Sequence, residues 1–148
     1  MQAQVSRTET SAATGALVLR IALGAMFIAH ALLKYYVFTL PGTAQFFESL
    51  GLPGWLGYAT FYAELAGGVL ILLGVHTRWV ALALVPVLIG ATWAHFPNGW
   101  VFSANNGGWE YPAFLTIAAI VQSLLGDGAF ALRPSVRSVT PRAAYAAR

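Results

Sequence analysis

The chain has no cysteine, only five acidic side chains and three histidines, and just 9% of its 148 residues are charged. Without thiols there can be no disulfide, thiolate zinc site, iron–sulfur cluster or cysteine nucleophile. Soluble domains carry roughly 25% charged residues, so the scarcity of charge excludes an ordinary soluble domain and a disordered chain alike. The net charge of +3 reflects missing acids rather than a basic cluster, and no nucleic-acid partner is expected. What is abundant is apolar surface, at 58% of residues with a mean hydropathy of +0.68.

A bilayer core about 30 Å thick takes about 20 mostly apolar residues in helical form. Four runs of that kind are present: 15–33, 55–75, 78–95 and 109–126. Turn-forming residues separate them: Leu40-Pro41-Gly42 and Gly51-Leu52-Pro53-Gly54, then Gly74-Val75-His76-Thr77, then Pro97-Asn98-Gly99 through Asn105-Asn106-Gly107-Gly108. None of the runs alternates with period two, so a membrane barrel is excluded and helices are left. The expected fold is all-α, an integral membrane four-helix bundle over residues 15–132. A polar tail (1–14) precedes it and a basic tail (133–148) follows.

Basic residues set the expected orientation. Arg78 lies in the second connection and Arg133, Arg137, Arg142 and Arg148 follow the fourth run, while the third connection has no Lys or Arg. Both termini are therefore expected in the cytoplasm, which places Trp55, Trp93, Trp100 and Trp109 near the outer interface and Trp79 at the inner one. The long third connection would then rest on the outer membrane surface. Arg20, Ile21 to Ile28 and Ala29-His30-Ala31 imitate a cleavable signal peptide, but the segment is expected to stay as the first span.

The informative residues are ionisable groups that a spanning helix should avoid, since a charge at mid-bilayer costs at least about 2.5–3.5 kcal/mol on insertion scales. At about 100° per residue, Arg20, His30 and Lys34 share one face of the first helix. Arg20, nearest the inner side, reads as a snorkelling anchor or an ion pair between helices. Glu64 lies near mid-bilayer and must be protonated or paired with a cation such as Lys34 or His30. Around it Gly67 and Gly68 form a small-residue seam for close helix approach. Pro86 interrupts the hydrogen-bonding of the third span. His95 ends that span, and Glu110 and Tyr111 open the fourth beside Pro112, where a carboxylate suits the positive helix end.

On this topology His30, Lys34, Glu64, His95, Glu110 and Tyr111 gather in the outer half of the bundle. A flat ring with two polar ends, such as a quinone head, would suit a histidine, a carboxylate and aromatic walls there. The same polar residues could instead only hold helices together. No metal site and no intrinsic cofactor are expected, and a haem between His30 and His95 is not expected on two histidines alone.

In order and spacing, the landmarks Leu19-Arg20-Ile21-Ala22-Leu23-Gly24, His30, Lys34, Gly51-Leu52-Pro53, Glu64-Leu65-Ala66-Gly67-Gly68, Leu73-Gly74, Arg78, His95 and Gly107-Gly108-Trp109-Glu110-Tyr111-Pro112 resemble the DoxX family. The resemblance spans about residues 15–132 and implies a multi-pass protein of a prokaryotic plasma membrane. The family is named after a quinol oxidase subunit and has relatives in thiosulfate:quinone oxidoreductase. It supplies no catalytic residue set. It gives a setting rather than a reaction; the expected function is a subunit of a quinone-linked oxidoreductase or respiratory complex with protein partners or further copies of itself, and the alternatives are a scaffold that docks a partner and a small transporter.

Overall fold

A computed structural model describes residues 2–135, with side chains from residue 9. Five α-helices follow one another: α1 (Gln2–Tyr36), α2 (Leu40–Ser49), α3 (Trp55–Leu73), α4 (Thr77–His95) and α5 (Glu110–Leu125), with a single 3-10 turn, Phe96–Asn98, after α4. No strand is present among the described residues beyond one isolated bridge between Val75 and Arg133.

Two expectations change. Residues 2–14, read as a tail, continue α1. The first connection, read as turns, holds the extra helix α2. Its start is built from the same residues that suggested a turn: Pro41 sits in the first helical turn, and Thr39 caps it by accepting the Gly42 amide at 3.2 Å. Proline lacks an N–H that this position would leave unbonded, so Leu40-Pro41-Gly42 opens a helix as readily as it makes a turn. The basic residues Arg137, Arg142 and Arg148 lie outside the described residues.

Three segments are long and apolar enough to cross a membrane: 9–36, 55–73 and 77–98. With 16 residues, α5 spans about 24 Å. The long helices close into a ring in which α1 packs on α3 and α5, and α4 on α3 and α5, while α2 leans across α3. Leu23, Phe27, Ile71, Ala81, Leu84, Leu88, Leu115, Ala118 and Ala119 fill the centre. Pro86 is accommodated inside α4, which runs unbroken from Thr77 to His95.

The tightest crossing joins α1 to α3. A Cβ at Gly24 would stand 2.9 Å from the Leu72 nitrogen and 3.0 Å from the Gly68 oxygen, and one at Gly68 would stand 3.0 Å from the Gly24 oxygen. Only hydrogen fits where two backbones touch. Gly67, the neighbouring member of the seam, turns instead to Leu84 on α4. Two glycines thus let α3 approach two different helices, consistent with small-residue packing where no hydrophobic effect drives association.

At the end of the ring where α3 turns into α4, the chain after α5 folds back over the helices. Ala129 donates to the Ala13 carbonyl at 3.0 Å, Arg133 to the Gly74 carbonyl at 3.0 Å and His76 to the Arg133 carbonyl at 2.8 Å. Arg133 to Ser135 therefore belong to the folded body, three residues beyond the boundary expected from sequence.

Gly68→Val is expected to cost about 1–3 kcal/mol by forcing the α1–α3 backbones apart. Gly90→Ala, on α4 with open space around it, should be neutral or gain up to about 1 kcal/mol from helix propensity. Thermal unfolding midpoints in mild detergent check the contrast; equal midpoints for the two variants would contradict the close crossing.

Candidate functional site

The α1–α3 crossing runs antiparallel, so the Gly24–Gly68 contact lower on the pair sets Lys34 beside Glu64 higher up. Lys34 Nζ donates to Glu64 Oε2 at 2.6 Å, with the two side chains 18% and 8% exposed. It is the one ion pair within 4 Å among the described residues. Lys34 ends α1, where its charge also complements the negative end of the helix. Two charges held in low dielectric attract strongly, but each has lost water, so the pair specifies register more than it adds stability.

One turn below Lys34, the His30 ring donates Nδ1–H to the Met26 carbonyl at 2.8 Å. A carbonyl can only accept, which places a proton on Nδ1. The imidazole stacks on the Tyr111 ring at 5.7 Å between centroids and 22° between planes. Tyr111 packs against the core and also lines a half-open groove of about 520 Å³, together with Trp100, Phe102, Trp109, Glu110, Ala113, Phe114 and Ile117. A second aromatic group, Tyr35 stacked on Phe61 at 6.0 Å and Phe61 edge-on to Tyr62 at 5.0 Å, stands beside the ion pair.

The six residues expected to share one pocket separate into two arrangements. His30 meets Tyr111 of α5 and, one turn further along α1, Lys34 meets Glu64 of α3. His95 belongs elsewhere: its Nδ1 lies 3.0 Å from the Asn106 carbonyl and 3.1 Å from that of Gly107, and Asn98 Nδ2 donates to the same two carbonyls at 3.1 and 2.9 Å. Glu110 Oε1 accepts the Phe102 amide at 2.9 Å. Both fasten the connection between α4 and α5. The cause is local, because a long loop exposes backbone groups that need partners, and the nearest polar side chains are taken for that purpose. Glu110 still borders the groove, but its carboxylate does not meet that of Glu64.

Arg20 does not snorkel. It is 3% exposed and donates from Nη1 to the Asp127 carbonyl at 2.6 Å, with its guanidinium pressed against Gly74, whose φ of 71° ends α3. Asp127 went unread in the sequence. Its Oδ1 accepts the Thr77 amide at 2.7 Å and the Ser135 hydroxyl at 2.9 Å, and its Oδ2 accepts the Ser135 amide at 2.7 Å. A carboxylate from beyond α5 thereby caps the positive end of α4. The signal that could have found it is a lone acid between two glycines, Gly126-Asp127-Gly128, just after an apolar run.

The DoxX family model matches residues 15–97. The chain belongs to the DoxX family. A relative from Bacillus subtilis (strain 168), named "Putative oxidoreductase CatD", is 35% identical over 122 residues, covering 82% of this chain and 87% of that one. No solved structure matches the chain. The match ends at Pro97, just before the α4–α5 connection that His95, Asn98 and Glu110 fasten. The features it covers in this DoxX protein are therefore the α1–α3 crossing and the Lys34–Glu64 pair.

Replacing Lys34 with Met strands a buried carboxylate and is expected to destabilise the protein by about 3–5 kcal/mol. Adding Glu64→Leu should recover most of that loss. Unfolding midpoints of the single and double variants in detergent measure the pair; a single variant as stable as the parent would contradict the geometry.

Proposed function

We propose that this DoxX protein is a multi-pass subunit of a quinone-linked oxidoreductase complex in a prokaryotic plasma membrane, with α1, α3, α4 and α5 as its four crossings and both termini in the cytoplasm. The meeting of the segments around Ala13 and Ala129 at one end of the ring supports termini on one side. A 24 Å α5 crosses when neighbouring residues and local thinning make up the mismatch.

The observation that carries the quinone reading is Tyr111, whose ring both stacks with His30 and lines the groove. The groove is of ligand size and its walls, Glu110 apart, are aromatic or aliphatic, as a flat ring with an apolar tail requires. Around it, Trp100 lies edge-on to Trp109 at 4.4 Å, and Phe96 at 5.5 Å from Trp109. The Tyr111 hydroxyl is the donor that the groove's lining offers to a carbonyl oxygen, and Glu110 is the carboxylate beside it. The chain has no thiol and no nucleotide-binding loop, so its residues would bind and orient the ring and exchange protons with it, while a partner subunit carries the electrons. The relative named as an oxidoreductase points in the same direction.

One observation favours a purely architectural role: Lys34 and Glu64 are partnered with each other, Glu110 with Phe102 and His95 with its loop. A titration separates the readings. A short-chain quinone added to the detergent-solubilised protein should quench tryptophan fluorescence saturably, because Trp100 and Trp109 line the groove. Tyr111→Leu removes a stacking contact of about 0.5–1.5 kcal/mol and should weaken binding up to about tenfold. Quenching that is linear in quinone and unchanged in the variant would leave only the architectural role.

A further inference from the structure

Three buried polar atoms make no hydrogen bond among the described residues: Nε of Arg20, Oγ1 of Thr77 and Oε1 of Gln122. They sit on side chains 3%, 0% and 0% exposed. Native interiors leave few such groups unmet, and here three fall at one end of one bundle. Each residue is also anchored to the same turn by its other polar group. Arg20 Nη1 donates to the Asp127 carbonyl, the Thr77 amide to the Asp127 carboxylate, and Gln122 Nε2 to the Gly126 carbonyl at 2.8 Å. The three unmet atoms are therefore gathered around the 126–127 peptide, contributed by α1, α4 and α5.

Their chemistry narrows what can satisfy them. Arg20 Nε–H can only donate. Gln122 Oε1 can only accept, and the bond from Nε2 to a carbonyl fixes which way the amide points. Thr77 Oγ1 can do either. A guest must accept from the guanidinium and donate to the amide oxygen. An anion has no proton for Gln122, and a metal ion has no lone pair for Arg20 and would face its positive charge. Water does both, and buried waters typically make about 2–4 hydrogen bonds to groups of this kind.

We propose that the 126–127 turn roofs an internal water site, in which one or two ordered waters accept from Arg20 Nε and donate to Gln122 Oε1, with Thr77 Oγ1 as a further partner. The site lets a guanidinium stay buried and charged within an apolar bundle, since its unmet Nε–H meets water rather than hydrocarbon. It also links α1, α4 and α5 at the point where the chain after α5 crosses them. This assignment is independent of the quinone reading, which concerns the opposite end of the bundle.

A structure of the full chain in lipid, at a resolution that shows ordered water, tests it. The expected result is solvent density within about 3.2 Å of Arg20 Nε and of Gln122 Oε1 or Thr77 Oγ1. Absence of density, a direct bond from Arg20 Nε to Gln122 Oε1, or an anomalous ion peak would each overturn the proposal. In Gln122→Leu, which keeps bulk and removes the acceptor, the water beside Arg20 should fall below half occupancy; full occupancy there would overturn the bridging role. If that variant does not fold, the parent map alone decides.

Discussion

The contact of α1 with α3 at Gly24 and Gly68 is the constraint from which the rest follows. Two backbones within van der Waals reach leave no room for slippage by a residue, so the antiparallel register of the pair is set there. Ten residues further along α1 that register delivers Lys34 to Glu64, and four residues before Gly24 it delivers Arg20 to the end of α3 at Gly74. In an apolar surround, where helix association gains little from excluding water, steric fit of this kind has to do what a hydrophobic core does in a soluble protein.

The bundle then handles charge differently at its two ends. At the Lys34 end opposite charges meet directly, bordered by Tyr35, Phe61 and the His30–Tyr111 stack. At the Asp127 end a single carboxylate takes three donors, while the neighbouring guanidinium leans on a backbone carbonyl. The first arrangement pairs its charges beside aromatic rings; the second spends its polar groups on closing the chain over α1 and the α3–α4 turn.

Much of the architecture was legible because apolar run length and turn residues are strong signals when lipid is the solvent. Membership of the DoxX family and helices at about 15–33, 55–75, 78–95 and 109–126 could be read directly. The helix α2 could not, since Leu40-Pro41-Gly42 is compatible with both a turn and a helix start, and the choice rests on Thr39 capping Gly42. For Glu64 the residues left Lys34 and His30 as candidate cations, and the structure places it on Lys34. A helical wheel assigns angle but not depth or competition, which is why His95 and Glu110 seemed to join a pocket that loop carbonyls and amides in fact claim. Asp127 was missed because its partners lie 107, 50 and 8 residues away in sequence, and no local pattern encodes such distances.

The Lys34–Glu64 contact between α1 and α3 is what the rest of the site stands on. Dipolar-coupling solid-state NMR on the protein in lipid vesicles, with Lys34 Nζ labelled in nitrogen and Glu64 Cδ in carbon, measures that contact directly. The account predicts a separation below about 4 Å, as the 2.6 Å Nζ–Oε2 bond requires, and a Cδ shift typical of a carboxylate anion. No measurable coupling, or the shift of a neutral carboxylic acid, would contradict it.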